Sequence, residues 1–260
     1  IDGDAMARLA GLVGKAEQPV MIVGNGVYGS GAGPALQAFA EQNGIAIASS
    51  YHGKGTIDEA SDIAVGMMGT WGAKSANRMV QAADLVLVMG CSLGPEYTRF
   101  RDEKMIRPGE QTIVQIDQDP LQAGWVVPVD MAITGDVADA AAHLGKAAPH
   151  DATLVGRRKA AIARIKQENG YGVIPEFSTP EGKLHYADIL RGMQALLGPD
   201  ALLTLDAGSN RIWATTCLPL RTPNQLIAPG GIGGMGWSTP AATAAKITAP
   251  EKRVTGVIGD

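Results

Sequence analysis

Short runs of consecutive apolar residues recur along the first part of the chain. They are residues 19–23 (PVMIV), 45–48 (IAIA), 84–90 (DLVLVMG), 112–117 (TIVQID) and 131–134 (MAIT). Runs of this length without polar alternation predict strands buried on both faces. Between them, apolar residues return every three or four positions, which predicts helices. These cover residues 2–16 (Met6, Leu9, Leu12 and Val13 inward, Asp2 or Asp4 as cap), 33–42 (Leu36, Phe39, Ala40), 73–83 and 136–145. Gly24, Asn25 and Gly26 close the first strand and predict a tight turn. Alternating helices and continuous apolar strands predict a doubly wound α/β domain with a parallel sheet covered on both sides.

The second part begins with a linker at 147–151 and a basic helix at 153–169. Arg157, Arg158, Lys159, Arg164 and Lys166 read as the solvated face of a connector. Residues 170–183, with Pro175 and Pro180, predict an irregular crossing. A second α/β unit follows. It has a helix at 185–197 with Ile189, Leu190, Met193 and Leu197 inward, then a strand at 201–205. The expected organisation is a domain over 1–147, a linker over 148–182 and the first part of another domain over 183–260. The chain starts at Ile1 and stops just after an apolar run, so it reads as a piece of a longer protein.

Composition narrows the function classes. With 45% hydrophobic and 18% charged residues, the 260-residue chain is an ordinary globular one. A net charge of −4 and 5% aromatics give neither the basic footprint nor the stacking platform of a nucleic-acid binder. No apolar run reaches membrane-spanning length and no secretory leader is visible. Cys91 and Cys217 are far apart and suggest neither a metal site nor a disulfide framework. A cytoplasmic location is the expectation.

The densest chemical signal is GGIGGMGWSTPAA at 230–242. Five glycines in seven positions do not suit a helix or strand interior. They suit a loop where backbone approaches a ligand. Pro240 fits the first turn of a following helix through Lys246. A Gly-rich loop feeding a helix N-terminus offers free N–H groups and a dipole to anions. Residues 254–258 read as a buried strand, and Gly259 and Asp260 then place a carboxylate at its C-terminal end, where α/β sheets bind ligands. Phosphate loop and carboxylate together suggest a phosphate held through a divalent cation.

This stretch resembles the pyrophosphate-binding domain of thiamine diphosphate (ThDP) enzymes of the acetolactate synthase type. Their loop reads GGxGxMGxxxPAA, and their next strand ends in GDG. The resemblance extends backwards. Asp206-Ala207-Gly208-Ser209-Asn210-Arg211-Ile212-Trp213-Ala214 is similar to the family's DVGQHQMWA, with Ser209 and Asn210 in place of Gln-His. HGKG at 52–55, GMMG at 66–69, ADLVLVMG at 83–90 and IDQDP at 116–120 resemble the family's central domain. The resemblance implies an enzyme that uses ThDP and Mg²⁺ to decarboxylate or ligate a 2-oxo acid or related carbonyl compound. It implies a homodimer or homotetramer. It implies that Ala207, Gly208, Ser209, Asn210, Gly233, Gly234 and Gly259 border the cofactor, that Met235 wedges between its rings, and that Asp260 ligates Mg²⁺. No catalytic residue is expected within this stretch of chain. The central domain of relatives holds FAD, ADP or nothing, and the family's RFDDRVTG is replaced here by CSLGPEYTRF at 91–100, which argues against FAD.

Several alternatives stay open. Gly24, Gly26 and Gly29 approach a GxGxxG fingerprint, but no carboxylate ends the second strand to hold a ribose, which disfavours an ordinary NAD enzyme. An FAD- or NAD-dependent enzyme using only the first domain, or a non-catalytic nucleotide-binding relative, would carry the same pattern. His52 reads as a loop histidine bonded to backbone rather than an acid or base. Lys54, between two glycines, orders its loop or meets a phosphate.

Overall fold

All five apolar runs lie side by side in one parallel sheet. The computed structural model describes residues 1–146 and 151–259. The strands are β1 (Pro19–Val23), β2 (Ala46–Ser49), β3 (Ala64–Met67), β4 (Leu85–Met89), β5 (Thr112–Asp117) and β6 (Met131–Thr134), in the order β3-β2-β1-β4-β5-β6. Every residue of β1, β2, β3 and β4 is buried, as continuous apolar runs require. β3 is an addition to the predicted set. Its AVGM is short, and Gly66 has φ 95, so neither length nor propensity announces a strand.

Helices α1 (Gly3–Lys15), α2 (Asn25–Ser30) and α3 (Gly33–Asn43) gather about α5 (Val137–Leu144). Helix α4 (Lys74–Ala82) packs instead with β2, β3 and α6 (Ala152–Asn169) on the other face. Right-handed crossovers running in opposite directions from the sheet centre place helices this way. The expected tight turn at 24–26 is instead the start of α2, with Gly24 at its N-cap. A Cβ on Gly24 would fall 2.2 Å from the Gly90 carbonyl oxygen, so close approach of two chain segments explains this glycine.

Helix α6 is not a solvated connector. Ile162 and Ile165 enter the first core, and Arg158 is only 1% exposed. Its guanidinium donates to the carbonyls of Val13 (2.6 Å), Ala16 (Nε, 3.2 Å) and Asn43 (2.8 Å). Those oxygens close the C-termini of α1 and α3, where unsatisfied carbonyls and the helix dipole favour a cation. Lys166 likewise donates to the carbonyls of Ser61 and Asp62.

A second parallel sheet has the order β8-β7-β9: β7 (Leu202–Leu205) lies between β8 (Leu226–Ile227) and β9 (Val254–Val257). It packs with α7 (Tyr186–Leu196), α8 (Ser209–Cys217) and α9 (Ser238–Thr248) around Leu190, Leu203, Leu205 and Leu226. His185 and Asp188 form a capping box that starts α7. Ala187 and Leu190 are the buried positions of α7; Ile189, expected inward, is 45% exposed. β9, expected to be buried, is half-exposed along most of its length. α9 starts two residues before Pro240, which still lies in the first turn, where its missing N–H costs no helix bond.

The two sheet units meet through residues 54–59. Glu59 Oε2 accepts the Leu220 N–H at 2.9 Å and Lys54 Nζ at 2.5 Å, while Oε1 accepts the Gly55 N–H at 3.1 Å. Lys54 and Glu59 are both buried. Lys54 thus orders its own loop, one of the two roles expected for it.

Candidate functional site at the C-terminal ends of the second sheet

Strand β7 ends in Asp206, which is 2% exposed. Its carboxylate accepts the N–H groups of Gly236 (3.0 Å) and Trp237 (3.2 Å), and of Ala207 (2.9 Å). The Gly-rich loop is therefore fastened to the strand end just before α9 begins. The sequence predicts those N–H groups to be free for a bound anion; two of them are instead taken by the protein's own carboxylate. Gly231, Gly233 and Gly236 sit at φ 80, 64 and 76, in the left-handed region that a side chain resists. The loop holds that shape without a regular element around it.

Helix α8 begins at Ser209 with Gly208 as its N-cap and no side-chain cap. Neither Ser209 nor Asn210 caps the turn. Asn210 is buried; its Oδ1 accepts the Arg211 N–H at 2.8 Å, and among the described residues its Nδ2 has no hydrogen-bond partner. A buried N–H donor without an acceptor costs free energy, so this one marks a place for a ligand acceptor. A Cβ on Gly259 would lie 3.7 Å from Asn210 Nδ2 and 3.5 Å from the Ala207 oxygen. A Cβ on Gly233 would lie 3.1 Å from Arg211 Nη1. The structure thus brings Ala207, Gly208, Asn210 and Gly259 into one cluster, with Ser209 exposed on its rim. Gly233 is joined to that cluster through Arg211. Gly234 and Met235 remain outside, on the exposed arc of the loop, with Met235 87% exposed. Asp260 lies outside the described residues.

A family model described as thiamine pyrophosphate enzyme, central domain, matches residues 6–144, more than half of the chain. The chain belongs to the thiamine pyrophosphate enzyme family. A second family model, the C-terminal TPP binding domain, matches residues 206–260, beginning at the aspartate that fastens the loop. Similar curated proteins are acetolactate synthases. The large subunit from Corynebacterium glutamicum is 29% identical over 260 residues, covering 96% of this chain and 39% of its own length. The probable large subunit from Methanocaldococcus jannaschii is 29% identical, covering 97% and 43%. The mitochondrial catalytic subunit from Saccharomyces cerevisiae is 28% identical, covering 97% and 38%. The chain spans about two-fifths of the length of these relatives.

The residues present fit the family's cofactor. An unpartnered buried amide donor, the N-terminus of α8 and a glycine loop together form a set of donors for an anionic diphosphate. Among the described residues no group of three or more histidine, cysteine, aspartate or glutamate side chains forms a metal cluster. No described helix is long and apolar enough to cross a membrane.

Two further features lie outside this cluster. At the switch point of the first sheet, Asn25, Ser30, Gly90, Asp117, Gln122 and Asp136 line a cavity of about 490 Å³. At the seam between the sheets, His52 Nδ1 meets Tyr97 Oη at 2.9 Å, a side-chain partner in place of the expected backbone one. Burial and then the Arg211 cation lower the His52 pKa below its usual value. Arg211 stands over the Tyr51 ring, 5.0 Å from its centroid. Asp206 and Arg211 are the residues at this site to which the sequence expectations gave no role. Asp206 was signalled by its place at the end of a strand, and Arg211 by being a cation one residue beyond a phosphate-type turn.

Proposed function

We propose that the full protein binds ThDP through Mg²⁺ at this cluster and acts on a 2-oxo acid or related carbonyl compound, by decarboxylation, carboligation or both. The observation that carries this is the buried Asn210 Nδ2, unpartnered among the described residues, beside Gly259, with Gly208 against its Oδ1. When bound, ThDP supplies the nucleophilic carbon and the electron sink. The chain's own residues supply position. Asn210 and the first N–H groups of α8 hold the diphosphate. Asp206 keeps Gly236 and Trp237 in place so that the preceding glycines face it. Met235 would contact the bound cofactor with its apolar side chain, and Asp260 would ligate the Mg²⁺, whose charge would offset that of the diphosphate.

We further propose the domain limits 1–147 and 183–260, with 148–182 joining them, although α6 packs on the first unit. Assembly as a homodimer or homotetramer and a cytoplasmic location belong to the same proposal. The cavity at the first sheet's switch point is where FAD or ADP would sit if either is held. Isothermal titration of the full-length protein with ThDP and Mg²⁺ tests the proposal. Asn210→Ala is expected to weaken ThDP by at least about tenfold, the loss of a hydrogen bond to a charged group. Unchanged affinity would refute it. Supplied with ThDP, Mg²⁺ and a panel of 2-oxo acids, the isolated 260-residue chain should give no turnover, because it spans only about two-fifths of the relatives' length.

A further inference from the structure

The seam between the two sheet units holds a cavity of about 230 Å³, below the roughly 300–1,000 Å³ usual for drug-sized ligands. Its walls mix two kinds of group. Met67, Trp71 and Ile232 are apolar, while Tyr51, Tyr97, His52 and Arg211 are polar. Arg211 has no carboxylate within ion-pair distance among the described residues. Glu96 stands at the same cavity, exposed and unpaired with it. The Tyr51 hydroxyl is buried, meets no hydrogen-bond partner in good geometry among the described residues, and feels the Arg211 guanidinium beside it. His52 Nδ1 is held by the Tyr97 hydroxyl. A half-buried guanidinium with no carboxylate partner among the described residues, lining a small cavity and backed by the Tyr51 ring, forms a receptor for a single anionic group.

We infer that Arg211, with the Tyr51 hydroxyl, anchors the carboxylate of the small 2-oxo acid, an assignment that rests on the cofactor and substrate class proposed above. Helix geometry keeps this anion apart from the cofactor's. Asn210 and Arg211 are successive residues of α8, so their side chains diverge by about 100°. Asn210 turns to Gly208 and Gly259, and Arg211 turns to Tyr51 on the other unit. The substrate's chain would then lie against Met67, Trp71 and Ile232. From residues 91–100 of the first unit, Glu96 and Tyr97 line the same cavity that Arg211 enters from the second unit.

Because Arg211 Nη1 also approaches Gly233, a carboxylate and a phosphate oxygen are the two anions to separate. The experiment uses the full-length protein freed of cofactor, titrated calorimetrically with pyruvate, with inorganic pyrophosphate and with uncharged methyl pyruvate. Arg211→Gln is expected to weaken pyruvate by about tenfold or more, the usual effect of removing a charged hydrogen bond, and to leave pyrophosphate within about twofold. Arg211→Lys should fall between, and methyl pyruvate should bind weakly to all forms. Tyr51→Phe gives a second, milder loss that stays readable if Arg211→Gln fails to fold. In the loaded enzyme, KM for the 2-oxo acid should rise more than kcat falls. Wild-type protein that binds no pyruvate, equal pyruvate affinity of wild type and Arg211→Gln, or a loss confined to pyrophosphate would each overturn the assignment. If ThDP does not bind yet pyruvate affinity depends on Arg211, the carboxylate site stands and the cofactor proposal falls. If ThDP-dependent turnover persists with KM unchanged in Arg211→Gln, the reverse holds.

Discussion

The carboxylate of Asp206 accepts the backbone N–H of Gly236, thirty residues further along the chain, at 3.0 Å. With Trp237 on its other oxygen, one buried side chain sets where the Gly-rich loop ends and α9 begins. Asp206→Ala should lower stability by about 1.5–3 kcal/mol or more, since bonds to a buried charge are lost. It should also weaken ThDP by at least about tenfold, read by thermal melting and by titration. A lower melting temperature with unaltered ThDP affinity would mean that the pin serves the fold only.

The buried pair of Lys54 and Glu59 joins the two units. Removing one partner leaves the other charge buried, at a cost of about 3–5 kcal/mol. Glu59→Ala should reach the upper part of that range, because Leu220 and Gly55 also lose their acceptor. Lys54→Met should cost less, because Glu59 keeps both backbone donors. Urea denaturation of the full-length variants gives the comparison, and equal losses would place the weight on the ion pair rather than on the seam.

Gly33 and Gly29 predict opposite outcomes. A Cβ on Gly33 would lie 1.8 Å from the Thr56 carbonyl oxygen, a contact between backbones that cannot be relieved by a side-chain turn. Gly33→Ala should therefore destabilise strongly. Gly29, within α2, has nothing within 4 Å of the added carbon. Gly29→Ala should be neutral or stabilise by about 0.4–1 kcal/mol through the unfolded chain. Chemical denaturation of the two variants side by side is the check.

Burial pushes the Cys91 thiol up to about 11 from its ordinary 9.0. At pH 8 it should resist a disulfide reagent in the native protein and react once urea exposes it. The folded state keeps this proton where the unfolded chain releases it. The thiol's contribution to stability is thus fully present below 9.0 and lost as pH rises to about 11. Denaturation midpoints of wild type and Cys91→Ala across that window should converge as the pH increases.

The first sheet was legible because β1, β2, β4 and β5 are largely buried apolar runs; β6 was found from the same run but, as an edge strand, buries only Ile133, against the expected burial on both faces. β3 and β8 were not. One is a four-residue strand containing Gly66, and the other has two residues; both are held by neighbours rather than by propensity. The basic helix was misread from its charge count. Arg158, Ile162 and Ile165 share the 0, 4, 7 spacing of one buried face, but an arginine in that set reads as polar unless its carbonyl partners are known. At the site, the glycine loop and Asn210 stood out by composition and order. The tasks of Asp206 and Arg211 depend on which distant segment each meets, and spacing does not record that.

Arg158 has a consequence for how the molecule divides its labour. It closes two helix ends that immediately precede β1 and β2, so it sits under the N-terminal rim of the first sheet. The large cavity of that sheet opens at the opposite rim, beyond Val23 and Met89. One rim is a clasp and the other a workbench. Changes at the clasp should show in yield and shelf life while surviving molecules work normally, and the workbench is left free to be rebuilt for other chemistry.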